Sequence, residues 1–361
     1  MKIELANYMR RALRYGARQP PAAATDDHPI AHLTEIYKPK NISYFTHRGR
    51  YRPLAIMIET VNICDNDCII CPYSSQTRHR QTMPVDLFEK IIHDYADIGG
   101  GPVGLTPMVG EVFLDKHLLT RLEILKAAPS ITAISAITNG SMLYRYDDQQ
   151  LGKLVERFDR LTVSIYGLDA EEYATMTRRK HYDRMIEGVI RLLRMVGPEN
   201  LQLSGRHLRA RSQAEIDKWL DDIALRSGVN RAQMRFAGTL TYANWSFFDT
   251  KSLLPHDAIW RPVPDNKRQC ALPLVSAQVL SDGTVSFCAC ADFNANTSLV
   301  LGNIRNEKLC DLLNSEKVRR LWNWAEHGVP DFCRHCSFHM PIEIINEIPS
   351  AITEPLATFG G

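Results

Sequence analysis

The chain has 361 residues, 45% hydrophobic and 23% charged, with a formal net charge of +2. Such a composition belongs to a globular protein with a sizeable core and room for about two domains; the near-neutral balance excludes a strongly basic surface for nucleic acid or anionic membrane. No apolar run is long enough to span a bilayer, the start Met1-Lys2-Ile3-Glu4-Leu5 lacks the apolar core of a signal peptide, and nine cysteines without an export signal point to metal or thiol chemistry in a cytoplasmic protein rather than to disulfides.

Residues 1–50 read as an N-terminal extension: a basic helix over 2–17 carrying Arg10, Arg11 and Arg14, then a linker at Gln19-Pro20-Pro21-Ala22-Ala23-Ala24. From Leu54 short β-rich runs alternate with amphipathic stretches. The runs 54–60, 103–108, 131–138, 160–166, 200–208 and 232–237 predict strands, and 84–98, 115–127, 147–157, 169–196 and 212–227 predict helices. Pro84 opens the first helix with Leu87, Phe88, Ile91, Ile92 and Tyr95 on one face, and Ser212-Gln213-Ala214-Glu215 makes a capping box before a stop near Gly228. Six βα units over 51–250 imply a parallel sheet with helices outside. They fall short of the eight units of a closed barrel, so the expected fold is α/β, a partial (βα)6 TIM-like barrel with its site at the C-terminal strand ends.

Beyond residue 250 the alternation stops. Val275–Leu280 and Thr284–Phe287 flank the turn Ser281-Asp282-Gly283, a hairpin signal. A helix is expected from about Glu307 to Trp324. Together they predict a small second domain over 251–345, a β-hairpin plus a helix, with 346–361 as a surface tail.

Cys64, Cys68 and Cys71 stand at C-x3-C-x2-C spacing directly after the first strand, so one loop presents three thiolates to a soft metal centre. Two chemistries fit: an iron–sulfur cube with one iron left open, since full ligation takes four cysteines, or a zinc knuckle completed by His79. A second set, Cys270, Cys288, Cys333 and Cys336, is separated by 17, 44 and 2 residues. Its structural alternative is a four-cysteine zinc ribbon, but only one of its pairs has the C-x2-C spacing. Cys290 and Cys310 remain; Cys290 lies two residues from a proposed ligand and is a possible substitute for it, while Cys310 sits among leucines as a small hydrophobe or a hydrogen donor to a radical.

With these motifs in view, the chain resembles the radical S-adenosylmethionine (SAM) superfamily with a C-terminal SPASM/twitch-type auxiliary-cluster domain, over roughly residues 51–340. The first cysteine motif carries the likeness, although Ile70 stands where the family often has an aromatic residue. Val109-Gly110-Glu111 resembles the family's Gly-Gly-Glu stretch with its first glycine replaced; the resemblance implies that Gly110 and Glu111 bind the methionine amino group. Thr138-Asn139-Gly140 resembles a turn after strand three, and Leu161–Ile165 a fourth strand whose serine, here Ser164, contacts the ligand carboxylate. Asn139 joins the expected cofactor-binding residues, and Arg178 and Arg206 are candidate partners of that carboxylate.

The resemblance further implies two 4Fe–4S clusters, one held by Cys64, Cys68 and Cys71 and one auxiliary cluster held by Cys270, Cys288, Cys333 and Cys336. SAM would be cleaved reductively to a 5′-deoxyadenosyl radical, with electrons from a donor such as flavodoxin or ferredoxin. The auxiliary spacing is similar to that of single-auxiliary-cluster aminocyclitol and sugar dehydrogenases. It implies oxidation of a small polar substrate (sugar, aminocyclitol or nucleoside type) in a biosynthetic pathway, the auxiliary cluster taking the electron, with no nucleic-acid or membrane partner. Rival readings are a redox-neutral epimerase or decarboxylase with Cys310 as hydrogen donor, a peptide maturase, and a non-enzymatic zinc-binding interaction protein.

Overall fold

Leu161, Val163 and Ile165 are fully buried while Arg160, Thr162 and Tyr166 on the alternate positions are only partly so, with polar Ser164 the one buried residue of that second face, and this period of two sets one face of a strand against helices. A computed structural model describes residues 45–343 apart from 107, 199, 250, 266, 267, 290 and 291. The predicted N-terminal helix and linker, Cys290 and the C-terminal tail therefore lie outside the described residues.

Six parallel strands form the heart of the sheet: β1 (Ala55–Ile58), β2 (Gly101–Leu105), β3 (Ile131–Thr138), β4 (Arg160–Tyr166), β5 (Leu201–Arg206) and β6 (Arg235–Thr239). They pair in sequence order. Helices α1 (Val85–Asp97), α2 (Leu118–Ala127), α3 (Asp148–Val155), α4 (Ala170–Thr177), α5 (Tyr182–Val196) and α6 (Gln213–Ser227) lie in the connections, as right-handed crossovers require. This is the partial barrel. Its apolar strand face and the helices share one core, while the opposite face carries Met57, Ser135, Thr162, Ser164, Gln202, Ser204 and Arg206.

The structure departs from the sequence expectations at three places. The stretch 169–196 is two helices, because Arg178 takes a left-handed conformation (φ 54°) that ends α4. The stretch 307–324 breaks into α7 (Leu309–Leu313), α8 (Glu316–Trp322) and a further turn. At the first break Asn314 turns its amide to the backbone of Tyr51, accepting from its N–H at 2.8 Å and donating to its carbonyl at 3.1 Å. The hairpin, finally, is no separate layer. Strand β7 (Ser276–Val279) pairs in parallel with β1, and β8 (Thr284–Ser286) and β9 (Val300–Asn303) follow antiparallel, giving one nine-stranded sheet, β9-β8-β7-β1-β2-β3-β4-β5-β6. Gly283 makes the hairpin turn at φ 90°; a Cβ there would meet Asn303 Oδ1 at 2.8 Å.

Candidate metal centres

The loop after β1 is held from all sides. Glu59, fully buried, takes both guanidinium nitrogens of Arg78 at 2.6 and 2.8 Å. Asn62 accepts from the Gln81 amide and donates to the carbonyl of His79. Within the loop, the amides of Asp67 and Ile69 donate to Thr177 and Met176 at the end of α4, at 3.1 and 2.9 Å. The early end of α4 is what makes those carbonyls available. Arg179 Nε donates to the Asp65 carbonyl at 2.8 Å, and Trp245 Nε1 to that of Ile70 at 3.0 Å.

Cys64, Cys68 and Cys71 are free in this loop. Burial pushes all three thiols up, Cys71 to about 11, although Arg206 pulls Cys68 and Cys71 back down. Such thiols become ligands only where a metal centre supplies the positive charge to deprotonate them. Among the described residues, the group of three or more metal-capable side chains drawn close enough to share one ion is His93, Asp94 and Asp97 on α1. Three thiols in one loop and four in the second set, all soft donors, suit iron–sulfur centres.

Around the loop the expected cofactor residues divide. The Glu111 amide donates to Ile63 O at 2.9 Å, which lays the Val109–Glu111 stretch against the cysteine loop. The Glu111 carboxylate is buried and committed: Oε1 accepts from Thr138 Oγ1 at 2.6 Å and Phe113 N at 3.1 Å, and Oε2 from Asn139 N at 2.7 Å. Burial outweighs those bonds and lifts the carboxyl to about 7. With both oxygens taken by protein donors, the side chain ties β2 to β3, and the backbone around Gly110 is the part of this stretch left to meet a ligand. Asn139 Nδ2 reaches Asp65 Oδ1 at 2.9 Å and Cys64 Sγ at 3.8 Å; the Ser141 hydroxyl also donates to Asp65.

Ser164 lies beside Ser204 on the face opposite the helices, and two residues on Tyr166 pairs with Arg206. Tyr166 packs against Cys68 and its hydroxyl pulls that thiol partly back down. The Arg206 guanidinium stands 6.0 Å from the Tyr166 ring, its buried Nε without a partner among the described residues. Arg178 is elsewhere: it pairs with Asp67 at 3.2 Å and is more than half exposed, on the outer side of the loop.

The second set is assembled at the base of β7 and β8. Cys270 bridges Pro341 and accepts from the Met340 amide at 3.4 Å. Cys288 follows β8, where the Ala289 amide returns to Ser276 O at 3.1 Å. Cys333 and Cys336 share one turn, closed by the Cys336 amide on Cys333 O at 3.3 Å. Cys270, Cys288 and Cys336 are buried. Asn244, next to Trp245, grips this turn: Nδ2 donates to His335 O at 2.6 Å, and its amide and Oδ1 exchange bonds with Ser337.

Cys310 is not brought to the first set. It accepts from Arg50 at 3.2 Å, and Arg50 precedes β1, whereas the cysteine loop follows it. That puts Cys310 at the opposite end of the strands and removes the geometric basis for a hydrogen donor. Asp65 and Ser141, which the sequence reading passed over, sit inside or beside motifs and were findable there. Asn244 and Trp245 carry no local signal, since their partners are about 90 and 175 residues away.

Residues 58–208 match the Radical SAM superfamily, and residues 270–337 match the SPASM iron-sulfur cluster-binding domain. The GTP 3′,8-cyclase of Actinobacillus pleuropneumoniae serotype 3 (strain JL03) is 21% identical over 290 residues, 78% of each chain. That of Chlorobaculum tepidum is 29% identical over 139 residues, 38% of this chain and 40% of that one. Among solved structures, BtrN in complex with AdoMet and 2-DOIA superposes with a TM-score of 0.50 at 18% identity, covering 78% of this chain and 92% of its own. Streptococcus suis SuiB bound to its precursor peptide SuiA gives 0.55 at 14%, covering 87% and 75%. At these identities the structural likeness establishes the fold.

Proposed function

We propose, from the premise that this chain joins a radical SAM domain to a SPASM iron–sulfur domain and works with SAM and two 4Fe–4S clusters, that it is an oxidoreductase acting on a small polar substrate. When bound, the first cluster and SAM supply a 5′-deoxyadenosyl radical able to take a hydrogen atom from an unactivated carbon. Everything else is done by the chain. Cys64, Cys68 and Cys71 would hold the first cluster, and three ligands would leave it able to bind SAM. The backbone at Gly110 receives the amino group, and Ser164 with Arg206 receives the carboxylate. Asp65, Asn139 and Ser141 keep the loop in register with the end of β3. Tyr73, Val109 and Phe293, packed with Cys64, Cys71 and Trp245, exclude water from the cysteine side.

The observation that carries the oxidative reading is the second donor set. Four thiols, three of them buried, would ligate a second cluster fully, and a cluster so held would supply an electron acceptor. Flavodoxin or ferredoxin is the class of donor suited to the first cluster, and a cytoplasmic setting suits both. A second reading has one observation in its favour: relatives matching 78% of the chain are named GTP 3′,8-cyclases, which would make the chemistry the cyclisation of a nucleotide.

Anaerobically reconstituted protein, reduced with dithionite, should convert SAM to 5′-deoxyadenosine and methionine. Absence of 5′-deoxyadenosine from iron-replete wild-type protein would sink the radical reading.

A further inference from the structure

Asn139 follows β3 with its side chain locked. Oδ1 accepts from the Ser141 amide at 2.9 Å and from the Ser141 hydroxyl at 2.7 Å, so the amide nitrogen faces the other way, into the cysteine loop. There Nδ2 donates to Asp65 Oδ1 at 2.9 Å and to Cys64 Sγ at 3.8 Å. Both of its protons are thereby placed, one on a carboxylate and one on a thiol of the first set. Among the described residues it is the one side-chain amide that reaches Cys64.

The Asp65 carboxylate suits its neighbours less well than an amide would. The Ser141 hydroxyl lies within hydrogen-bond reach of two acceptors, Asp65 Oδ2 and Asn139 Oδ1, and has one proton for both. An amide at position 65 would donate to that hydroxyl and leave its proton for Asn139, closing the triangle. Among the described residues no lysine or arginine pairs with the carboxylate; Arg179 gives its Nε to the Asp65 carbonyl instead. An uncompensated acidic group therefore stands beside Cys64, whose thiol is pushed up by burial and by the charges of Glu111 and Asp65.

We propose that Asn139 and Asp65 are an opposed pair of positioning residues that sets the reduction potential of the first cluster; this rests on the radical SAM reading above. Reduction moves one electron from the donor to the cluster and makes or breaks no bond, so a group that stabilises added negative charge at Cys64 favours it. The Asn139 N–H does so, since hydrogen bonds to ligand sulfur are among the levers that set cluster potentials. The Asp65 carboxylate, a like charge beside the same sulfur, opposes it. The hydrogen bond between the two side chains holds both at fixed distances from Cys64, and with them the balance.

The test is a potentiometric titration of the reconstituted full chain at one pH, followed by the EPR signal of the reduced first cluster. The variant with Cys64, Cys68 and Cys71 all replaced by Ala identifies that signal by its loss. Asn139→Ala should make reduction about tenfold less favourable, a fall of about 59 mV for a one-electron couple. Asp65→Asn should make it about tenfold more favourable. A merely loosened loop would move both variants in one direction, so unchanged potentials, or shifts of one sign, overturn the proposal. Should one variant fail to hold iron, the other decides: a potential unchanged or moved against its expected sign overturns it. Loss of the first cluster from both would make the pair structural and overturn it too. Formation of 5′-deoxyadenosine by the wild-type samples separates the two claims. Its absence alongside opposed shifts fails the radical reading only, and its presence without them fails this inference only.

Discussion

Trp245 donates its indole N–H to the carbonyl of Ile70 at 3.0 Å, one residue before Cys71. Its neighbour Asn244 exchanges hydrogen bonds with Ser337, one residue after Cys336. Two consecutive residues thus span from one cysteine set to the other, and the separation of the two metal centres is set by side chains that ligate neither.

Removing either link should have a separable effect. Trp245→Phe keeps a ring in place and loses one hydrogen bond, costing about 1 kcal/mol of stability with iron content unchanged. Asn244→Ala leaves the buried Ser337 amide and His335 carbonyl unsatisfied, and should cost about 2–3 kcal/mol. It should also lower iron toward the complement of one cluster, because the turn of Cys333 and Cys336 loosens. Denaturant melts and iron analysis on the two variants check both. Equal iron loss in the two would mean that the indole bond matters more than the turn.

The two cysteine sets should fail independently. Replacing Cys64, Cys68 and Cys71 by Ala should leave roughly four of about eight irons and abolish SAM cleavage. Cys270→Ala or Cys333→Ala should strip the second cluster yet spare 5′-deoxyadenosine formation, while product formation collapses. Full turnover without the second cluster would reduce it to a structural staple.

Cys310→Ala should keep most activity and both clusters, since this thiol sits with Arg50 at the far end of the strands. Turnover in deuterium oxide should then give a product without new carbon-bound deuterium, exchange beside a carbonyl aside. Deuterium at the reacting carbon would favour the redox-neutral reading.

Acid should destabilise the fold through Glu172. Burial opposes its ionisation, but His207 (Nδ1 at 3.8 Å), the Leu208 amide at 2.6 Å and Arg211 outweigh it and bring the carboxyl to about 2, from 4.5. A depressed carboxyl stabilises the folded state above its unfolded pKa and loses that contribution as pH falls through the folded one. The window is therefore between about 4.5 and 2, with on the order of 2 kcal/mol at stake after allowing for solvent screening. Urea midpoints across that window should fall less for Glu172→Gln than for wild type; parallel curves would contradict the assignment.

Much of this was legible in advance for a physical reason. Strands such as Leu161–Ile165 and a helix such as α6, with Ser212 and Glu215 as its box and Gly228 as its stop, announce themselves through local period and caps. The cysteine spacings did the same for the metal centres. What stayed hidden depends on distant partners. The end of α4 at Arg178 and the turn at Asn314 are local breaks whose use, at Asp67 and Ile69 or at Tyr51, lies far away in sequence. Glu111 lies against the cysteine loop, where its motif puts it, but its carboxylate faces Thr138 and Asn139, which no spacing rule conveys. Asn244 and Trp245 look like ordinary loop residues.

The pairing of β1 with β7 has a consequence for how the chain is made. Ala55–Ile58 emerges from the ribosome more than two hundred residues before Ser276–Val279, the strand that covers its edge. At synthesis rates of about 5–20 residues per second, that strand waits roughly 10 to 45 s with its outer amides unpaired. Ala55, Ile56 and Ile58 are fully buried once the sheet is complete, so the waiting edge is an apolar template for the wrong neighbour. Since the three cysteines of the first centre hang directly from it, a stalled or truncated chain would expose a sticky strand and an unfinished metal loop together.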